Sequence, residues 1–190
     1  MTDTLAPHRS SLPTVAVFGS SEPVPGDALY EDAVRLGTLL AGAGYEVVTG
    51  AYGGVMEGAS RGASTAGGRS VGVACEIFPQ RRPNPYLDEV IVAPDLFSRT
   101  RQLIEMAQGY VVLAGKSGTL AELSLLWALD RAGCLERRPV VLLGDPWWEI
   151  VRSLSELGML EKSQMDITKV VARPEEAVAA LAAALRPGAN

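Results

Sequence analysis

The sequence predicts an α/β fold in which a doubly wound parallel sheet carries helices on both faces. Short apolar runs alternate along the chain with longer segments of helical periodicity, and glycines stand at several of the junctions. Strands and helices in this alternation form parallel sheets, because each helix returns the chain to the start of the next strand. No repeat, linker or change of composition divides the chain, so we expect one domain over residues 13–188 after a disordered tail over residues 1–12.

The first half of the chain supplies three predicted strands and two predicted helices. Residues 14–20 are a short apolar run that ends in glycine and serine, as is typical of a buried strand. Residues 27–43 place apolar side chains at helical spacing and stop at a glycine, which predicts a helix. Residues 45–49 then predict the second strand, residues 56–66 a helix closed by two glycines, and residues 70–75 the third strand.

The second half of the chain begins with a loop and then continues the alternation of strands and helices. Residues 76–88 are rich in proline and arginine and lack periodicity, so we expect them to form a loop. The remaining strands are predicted at residues 89–93, 109–114, 139–144 and 167–171, and the remaining helices at residues 96–108, 119–132, 146–157 and 174–185. This order is that of a single Rossmann-like domain, in which ligands bind at the carboxyl edge of the strands.

Composition restricts the classes of function. Hydrophobic residues make up 47% of the chain, which is enough for one sizeable core, and the net charge is −5. An acidic chain argues against nucleic acid as the main partner, since such binders carry a basic excess. The two cysteines form no CxxC metal or redox signature, and they fit a reduced, cytoplasmic location.

Two further absences in the sequence narrow the chemistry. The polar first residues lack the apolar segment of a signal peptide, and no apolar run reaches the roughly 18 residues of a membrane span, so we expect no membrane partner. The single histidine, His8, lies in the predicted tail, which leaves Ser-His-Asp catalysis and His-ligated zinc without their histidine. We therefore expect no metal and no cofactor.

Three glycine-containing loops are predicted at the carboxyl edge of the sheet: residues 19–21, 50–54 and 115–118. The third loop opens a helix at Thr119, where unpaired N–H groups and the helix dipole favour a phosphate. Neither the Walker A pattern nor GxGxxG is present. An ordinary turn between a strand and a helix needs the same glycines, so a purely structural role for this loop remains an alternative to phosphate binding.

Several charged residues lie close to these loops in sequence. Glu122 follows Thr119 by three residues, so the two share a helix face, and we expect the helix N-terminus to favour the ionised carboxylate. That carboxylate can hold sugar hydroxyls, stabilise an oxocarbenium-like centre or activate water, or it can simply complement the dipole. Glu57 lies in the first turn of another helix. Arg99 and Arg101 lie near the start of a third helix, where a positive charge opposes the helix dipole. Such charges are stabilised by a nearby anion or by solvent.

These segments together resemble the Lonely Guy (LOG) family, whose members were often labelled possible lysine decarboxylases. The resemblance runs from about Val15 to Gly144. The family's G-S-S and the tyrosine that follows it match residues 19–21 and Tyr30, and its G-G-G-x-x-G-L-M-G loop resembles residues 49–57. Its signature P-G-G-x-G-T-x-x-E covers residues 114–122, and its helix motif places an arginine on Arg99 and a lysine on Thr100.

The resemblance implies a phosphoribohydrolase, which cleaves the N-glycosidic bond of a cytokinin or adenosine 5′-monophosphate to free base and ribose 5-phosphate. It implies that Arg99 and Glu122 are the catalytic pair and that the G-T segment holds the phosphate. With the other loops, the nucleotide-binding residues are expected to be Gly19, Ser20, Ser21, Gly53, Gly54, Glu57, Gly115, Lys116, Ser117, Gly118 and Thr119. The expected partners are a purine nucleoside monophosphate and a second copy of the chain, as a homodimer or higher homo-oligomer, with Leu125, Leu126 and Trp127 either at that interface or in the core.

The departures from the family pattern favour an alternative. Ala114 and Lys116 replace the signature proline and second glycine, and Thr100 is not basic. The lysine side chain can collide with a phosphate or grip it. Related molybdenum-cofactor carriers hold a phosphate-bearing ligand without turnover, so a non-catalytic nucleotide- or molybdenum-cofactor-binding protein is the second hypothesis. The decarboxylase label carries little weight, because a pyridoxal-phosphate enzyme needs a Schiff-base lysine and only Lys116 lies near the predicted site.

Overall fold

A computed structural model describes residues 10–185 of the chain. Residues 1–9 of the predicted tail, with His8, and residues 186–190 lie outside the described residues. The strands β1 to β7 are Thr14–Phe18, Glu46–Thr49, Ser70–Cys75, Glu89–Ala93, Gly109–Leu113, Val140–Leu143 and Thr168–Val171. The helices α1 to α7 are Ala28–Gly42, Val55–Thr65, Leu96–Met106, Ser117–Arg131, Pro146–Glu156, Lys162–Ile167 and Pro174–Ala184.

The strands form one seven-stranded sheet in the order β4-β3-β2-β1-β5-β6-β7, and every pairing is parallel. The chain builds outward from β1 to β4 and then returns to place β5 on the other side of β1. Ala16 of β1 accordingly pairs with Val48 on one side and Tyr110 on the other. The strand order reverses between β1 and β5, which is where doubly wound sheets bind ligands.

The core lies in two layers, one on each face of the sheet, because side chains alternate along a strand. Val15 and Val17 of β1 belong to the layer under α1, α2 and α7, whereas Ala16 and Phe18 belong to the layer under α3, α4 and α5. All of these strand residues are buried. The predicted Rossmann-like arrangement with helices on both faces is therefore confirmed.

Helices α1 and α2 meet backbone to backbone. A Cβ added at Gly37 would lie 2.0 Å from the carbonyl oxygen of Ala59, and one added at Gly62 would lie 1.9 Å from that of Val34. Only glycine permits this approach. The contact brings α2, and with it the glycine loop that precedes it, close against the start of the sheet.

The sequence prediction missed one helix. Helix α6 spans only Lys162–Ile167, too short for helical periodicity to show, and it begins with a capping box in which Glu161 and Gln164 satisfy each other's backbone N–H groups. Ile167 consequently ends this helix instead of starting the last strand. On α4, Leu126 and Trp127 are core residues, whereas Leu125 is exposed. Within residues 10–185, no helix is both long and apolar enough to cross a membrane.

Candidate functional site

A cavity of about 240 Å³ opens at the carboxyl edge of the sheet, around the ends of β1, β2 and β5. A single buried water needs only roughly 10–15 Å³, so this space suits a small molecule. The lining residues come from the end of β1, from the loops after β1, β2, β3 and β5, and from the starts of α2, α3 and α4: Val17, Phe18, Gly19, Ser20, Ser21, Glu22, Gly50, Tyr52, Met56, Phe78, Arg81, Leu96, Arg99, Lys116, Gly118, Thr119 and Glu122.

The three predicted glycine loops are hydrogen-bonded into one edge of this cavity. The backbone N–H of Ser20 donates to the carbonyl oxygen of Ala114 at 3.0 Å. The carbonyl oxygen of Ser20 accepts from the N–H of Val55 at 2.8 Å. A Cβ at Gly54 would lie 2.3 Å from the Ser20 oxygen, and one at Gly115 would lie 2.1 Å from the Thr119 Oγ1. These two glycines therefore let the loops pack against one another and do not line the cavity.

Arg99 is a buried cation held by backbone oxygens. Its Nε donates to the carbonyl oxygen of Val73 and its Nη2 to that of Gly50, each at 2.8 Å. The guanidinium also lies 5.7 Å from the centre of the Tyr52 ring. These acceptors, one within β3 and one just after β2, offset the cost of a cation in the first turn of α3. Arg101, two residues on, is exposed and does not line the cavity.

Glu122 faces Arg99 from the second turn of α4. Its Oε1 lies 3.9 Å from the Arg99 Nη1, and the two side chains are only 13% and 10% exposed. Burial raises the pKa of Glu122 to about 7, although the positive charge of Arg99 acts to lower it. Burial therefore works against the ionised form of Glu122, the form that the sequence predicts the helix N-terminus to favour.

The structure brings together some of the predicted site residues and leaves others out. Eight line the cavity: Gly19, Ser20, Ser21, Arg99, Lys116, Gly118, Thr119 and Glu122. Five do not: Gly53, Gly54, Glu57, Gly115 and Ser117. The carboxylate of Glu57 instead accepts a hydrogen bond from the Tyr30 hydroxyl at 3.0 Å, so this glutamate ties α2 to α1.

Lys116 lies at the mouth of the cavity. Its Nζ is 2.5 Å from the Oε1 of Glu22, and both side chains are more than half exposed, at 73% and 63%. The lysine thus reaches from the loop after β5 to the loop after β1. An exposed pair of this kind contributes little to stability, but it places one positive and one negative charge beside the loops that line the cavity.

An aromatic wall, formed by the rings of Tyr52 and Phe78, closes the side of the cavity under the loop after β3. The Tyr52 hydroxyl accepts from the N–H of Cys75 at 2.9 Å and donates to its carbonyl oxygen at 3.2 Å. Phe78 meets the Tyr52 ring edge to face, with centroids 6.0 Å apart. The sequence predicted a loop at residues 76–88. The two rings carried no periodic signal that could have placed them.

The family model described as possible lysine decarboxylase matches residues 56–181. The chain belongs to this family. The matched segment contains Arg99, Glu122 and the glycine loop at the start of α4. The resemblance to the LOG family that the sequence motifs predicted is therefore confirmed.

The relatives of this LOG-family chain include both an enzyme and a carrier. Cytokinin riboside 5′-monophosphate phosphoribohydrolase of Mycobacterium tuberculosis is 28% identical over 177 residues, which cover 89% of this chain and 93% of that protein. The molybdenum cofactor carrier protein of Chlamydomonas reinhardtii is 28% identical with a TM-score of 0.66, covering 90% of this chain and 96% of that one.

A third relative shares the fold. The molybdenum cofactor binding protein of Rippkaea orientalis gives a TM-score of 0.69 at 24% identity and covers 88% of this chain and 94% of that chain. Agreement over nearly the whole of both chains shows that the described sheet and its helices form the complete common fold.

Proposed function

We propose that this protein is a nucleoside 5′-monophosphate phosphoribohydrolase, which cleaves the N-glycosidic bond of a purine nucleotide to free base and ribose 5-phosphate. The observation that carries the proposal is the buried pair of Arg99 and Glu122, 3.9 Å apart, beside the first turn of α4. The relative from Mycobacterium tuberculosis, which bears the name of this activity, supports it.

The phosphate of the substrate would bind at the start of α4. Gly118 and Thr119 line the cavity there, and Ser20 and Ser21 face it from the loop after β1. Unpaired N–H groups at a helix N-terminus attract anions, and the serine and threonine hydroxyls add donors. Lys116 at the mouth supplies a positive charge that can reach the bound phosphate.

Glu122 would carry the chemistry at the sugar. An ionised carboxylate that is largely buried, as Glu122 is, stabilises the oxocarbenium-like charge that develops as the glycosidic bond breaks. The same carboxylate takes a proton from the attacking water, whose oxygen bonds to the anomeric carbon as the bonding pair leaves with the base. The protonated Glu122 then returns that proton to the departing base nitrogen. A group with a pKa near 7 is suited to both transfers.

Arg99 would favour the ionised form of Glu122 and contact the substrate. Two backbone carbonyl oxygens hold its guanidinium, so its charge stays in place when ligand enters. That charge favours the ionised form of Glu122 and, through the edge that faces the carboxylate, can hold the ribose or the phosphate.

The second candidate is a carrier that binds the same ligand class without turnover. The structural likeness to the carrier protein of Chlamydomonas reinhardtii favours it, as do Ala114, Lys116 and Thr100, which depart from the LOG signature. The two functions differ in what Glu122 does. In a hydrolase it is needed for bond cleavage, whereas in a carrier it affects affinity alone.

The test is an assay of purified protein with AMP and isopentenyl-AMP, following free base and ribose 5-phosphate by chromatography. We expect base release from the wild-type protein and none from Glu122→Gln, which should still bind nucleotide. Glu105→Gln makes the same change at an exposed position of α3 outside the cavity and should release base normally. Clear nucleotide binding with no release from either substrate would contradict the hydrolase and favour the carrier.

A further inference from the structure

Arg81 lines the cavity, and within residues 10–185 no carboxylate pairs with it. Five charged side chains line the cavity; Lys116 pairs with Glu22, and Arg99 faces Glu122. Within residues 10–185, no carboxylate lies within 4.0 Å of the Arg81 guanidinium, and this group makes no side-chain hydrogen bond. Its N–H donors are therefore available to a ligand.

The Arg81 side chain is held in position by the aromatic wall. Its Cζ lies 5.0 Å from the centre of the Phe78 ring and 5.7 Å from that of Tyr52. Asn84 anchors the same loop, because its side-chain amide donates to the carbonyl oxygens of Ala51 and Tyr52 at 3.1 and 3.2 Å. A guanidinium packed on rings in this way is ordered in advance, and its in-plane N–H groups remain available.

The sheet order places Arg81 at the far end of the cavity from the loop after β5, beside which the proposed phosphate site lies. Arg81 follows β3, whereas that loop follows β5, and β2 and β1 lie between them. Three strand spacings separate these positions by roughly 14 Å. A nucleotide whose phosphate binds at α4 would therefore extend its base toward Arg81, across the Arg99–Glu122 pair. This step rests on the proposed function for the place of the phosphate.

We propose that Arg81 recognises a fused-ring heterocycle that carries a carbonyl oxygen beside an unprotonated ring nitrogen. Arginine is a donor only, and its fork bonds two adjacent acceptors at once, as it does with O6 and N7 of guanine. Adenine presents an amino donor at that position, which Arg81 repels. The ligand class is therefore a phosphate-bearing 6-oxopurine or pterin, which share this acceptor edge, in preference to an adenine nucleotide.

The other side chains at this end of the cavity are consistent with that preference. They are Tyr52, Met56, Phe78 and Leu96, and the one hydroxyl among them already bonds Cys75. None is a carboxylate or an amide that could accept from a 6-amino group. The flat rings and apolar side chains suit the faces of a heterocycle, and Arg81 alone among these five has free donors for its edge.

The experiment compares the affinities of GMP, neopterin monophosphate and AMP by titration calorimetry, in the wild-type protein and in Arg81→Met. Methionine keeps an unbranched apolar side chain against the two rings but has no N–H. We expect GMP or neopterin monophosphate to bind about tenfold more tightly than AMP, the size of one bidentate arginine contact, and Arg81→Met to abolish the difference. Whichever of GMP and neopterin monophosphate binds more tightly shows whether the ligand is a 6-oxopurine or a pterin.

Arg82→Met is the matched control, since Arg82 is the neighbouring exposed arginine and does not line the cavity. It should keep the preference. Equal affinities for all three ligands in the wild-type protein, a preference that survives in Arg81→Met, or failure of all three to bind would each overturn the proposal. The readout is binding, so a protein that hydrolyses none of them still shows the preference, and failure of the proposed hydrolase activity remains a separate result.

Discussion

The Arg99 guanidinium lies 3.9 Å from the Glu122 carboxylate, and about nine-tenths of each side chain is shielded from solvent. The arginine comes from α3 and the glutamate from α4, which follow β4 and β5 on opposite sides of β1 in the sheet. Hydrogen bonds to two backbone carbonyl oxygens hold the Arg99 charge in place. Burial raises the pKa of Glu122 to about 7, so this carboxyl is about half protonated at neutral pH.

Glu122→Gln should stabilise the protein at alkaline pH. Because burial raises the pKa of Glu122 from 4.5 to about 7, the native state holds this proton longer than the unfolded state does. The free energy of unfolding therefore falls as the pH rises from 4.5 to 7. The amide avoids this loss, which amounts to at most about 3 kcal/mol. Urea unfolding at pH 4.5 and pH 8 measures it, and an equal difference at both pH values would contradict the prediction.

The proposed base release should depend on the ionisation of Glu122. We expect kcat/KM to rise with pH and level off above about 7, because the ionised carboxylate is the reactive form. Arg99→Met should move this rise to higher pH, since the cation that lowers the pKa is gone. Arg101→Met, an exposed change on the same helix, should leave the midpoint in place. A profile that is flat between pH 5 and pH 8 would refute the assignment.

Gly115→Ala should distort the loop between β5 and α4, whereas Gly118→Ala should leave it intact. A Cβ at Gly115 would lie 2.1 Å from the Thr119 Oγ1 and 3.0 Å from the Ser20 nitrogen, but one at Gly118 meets nothing within 4 Å. We expect Gly115→Ala to cost about 1–3 kcal/mol and to weaken nucleotide binding, while Gly118→Ala keeps or slightly raises stability. Thermal unfolding compares them, and similar losses in both variants would be inconsistent with this packing.

Two glycines of α1 should respond in opposite ways to alanine. Gly37→Ala would place a methyl group 2.0 Å from the Ala59 carbonyl oxygen and force α1 and α2 apart, at a cost of about 1–3 kcal/mol or more. Gly42→Ala meets nothing within 4 Å and should stabilise the helix by about 0.5–1 kcal/mol. Denaturant midpoints test the pair. A stable Gly37→Ala protein would mean that the helices separate without penalty.

The Lys116–Glu22 pair should influence ligand affinity more than stability. Both side chains are well exposed, so their separation costs little, but a bound phosphate would compete with Glu22 for the lysine. Lys116→Met should weaken nucleotide binding, and Glu22→Gln should strengthen it, with both effects reduced at high salt. Lys162→Met, on exposed α6, is the control for loss of a positive charge. Tighter binding in Lys116→Met would show that the lysine obstructs the phosphate.

Local patterns predicted most of the architecture. Every predicted strand is present. The five inner strands are buried and mostly apolar, the edge strands β4 and β7 are short runs rich in valine, and the helical spacing located six of the helices. Helix α6 escaped prediction, since six residues are too few to display a period. The expectation that Arg99 and Glu122 act as a pair came from the resemblance to the LOG motifs, whose spacing the chain keeps.

The amino-acid sequence by itself determined the order of strands and helices, the three loops at the carboxyl edge and the family, because these depend on residues near one another in the chain. The tertiary structure alone decided that Gly54 and Gly115 serve packing, that Glu57 bonds Tyr30, and that Arg81 packs on two rings. It also decided the pKa of Glu122. Solvation and charge act through space, so the pKa of this carboxylate rises once residues distant in the chain shield it from water.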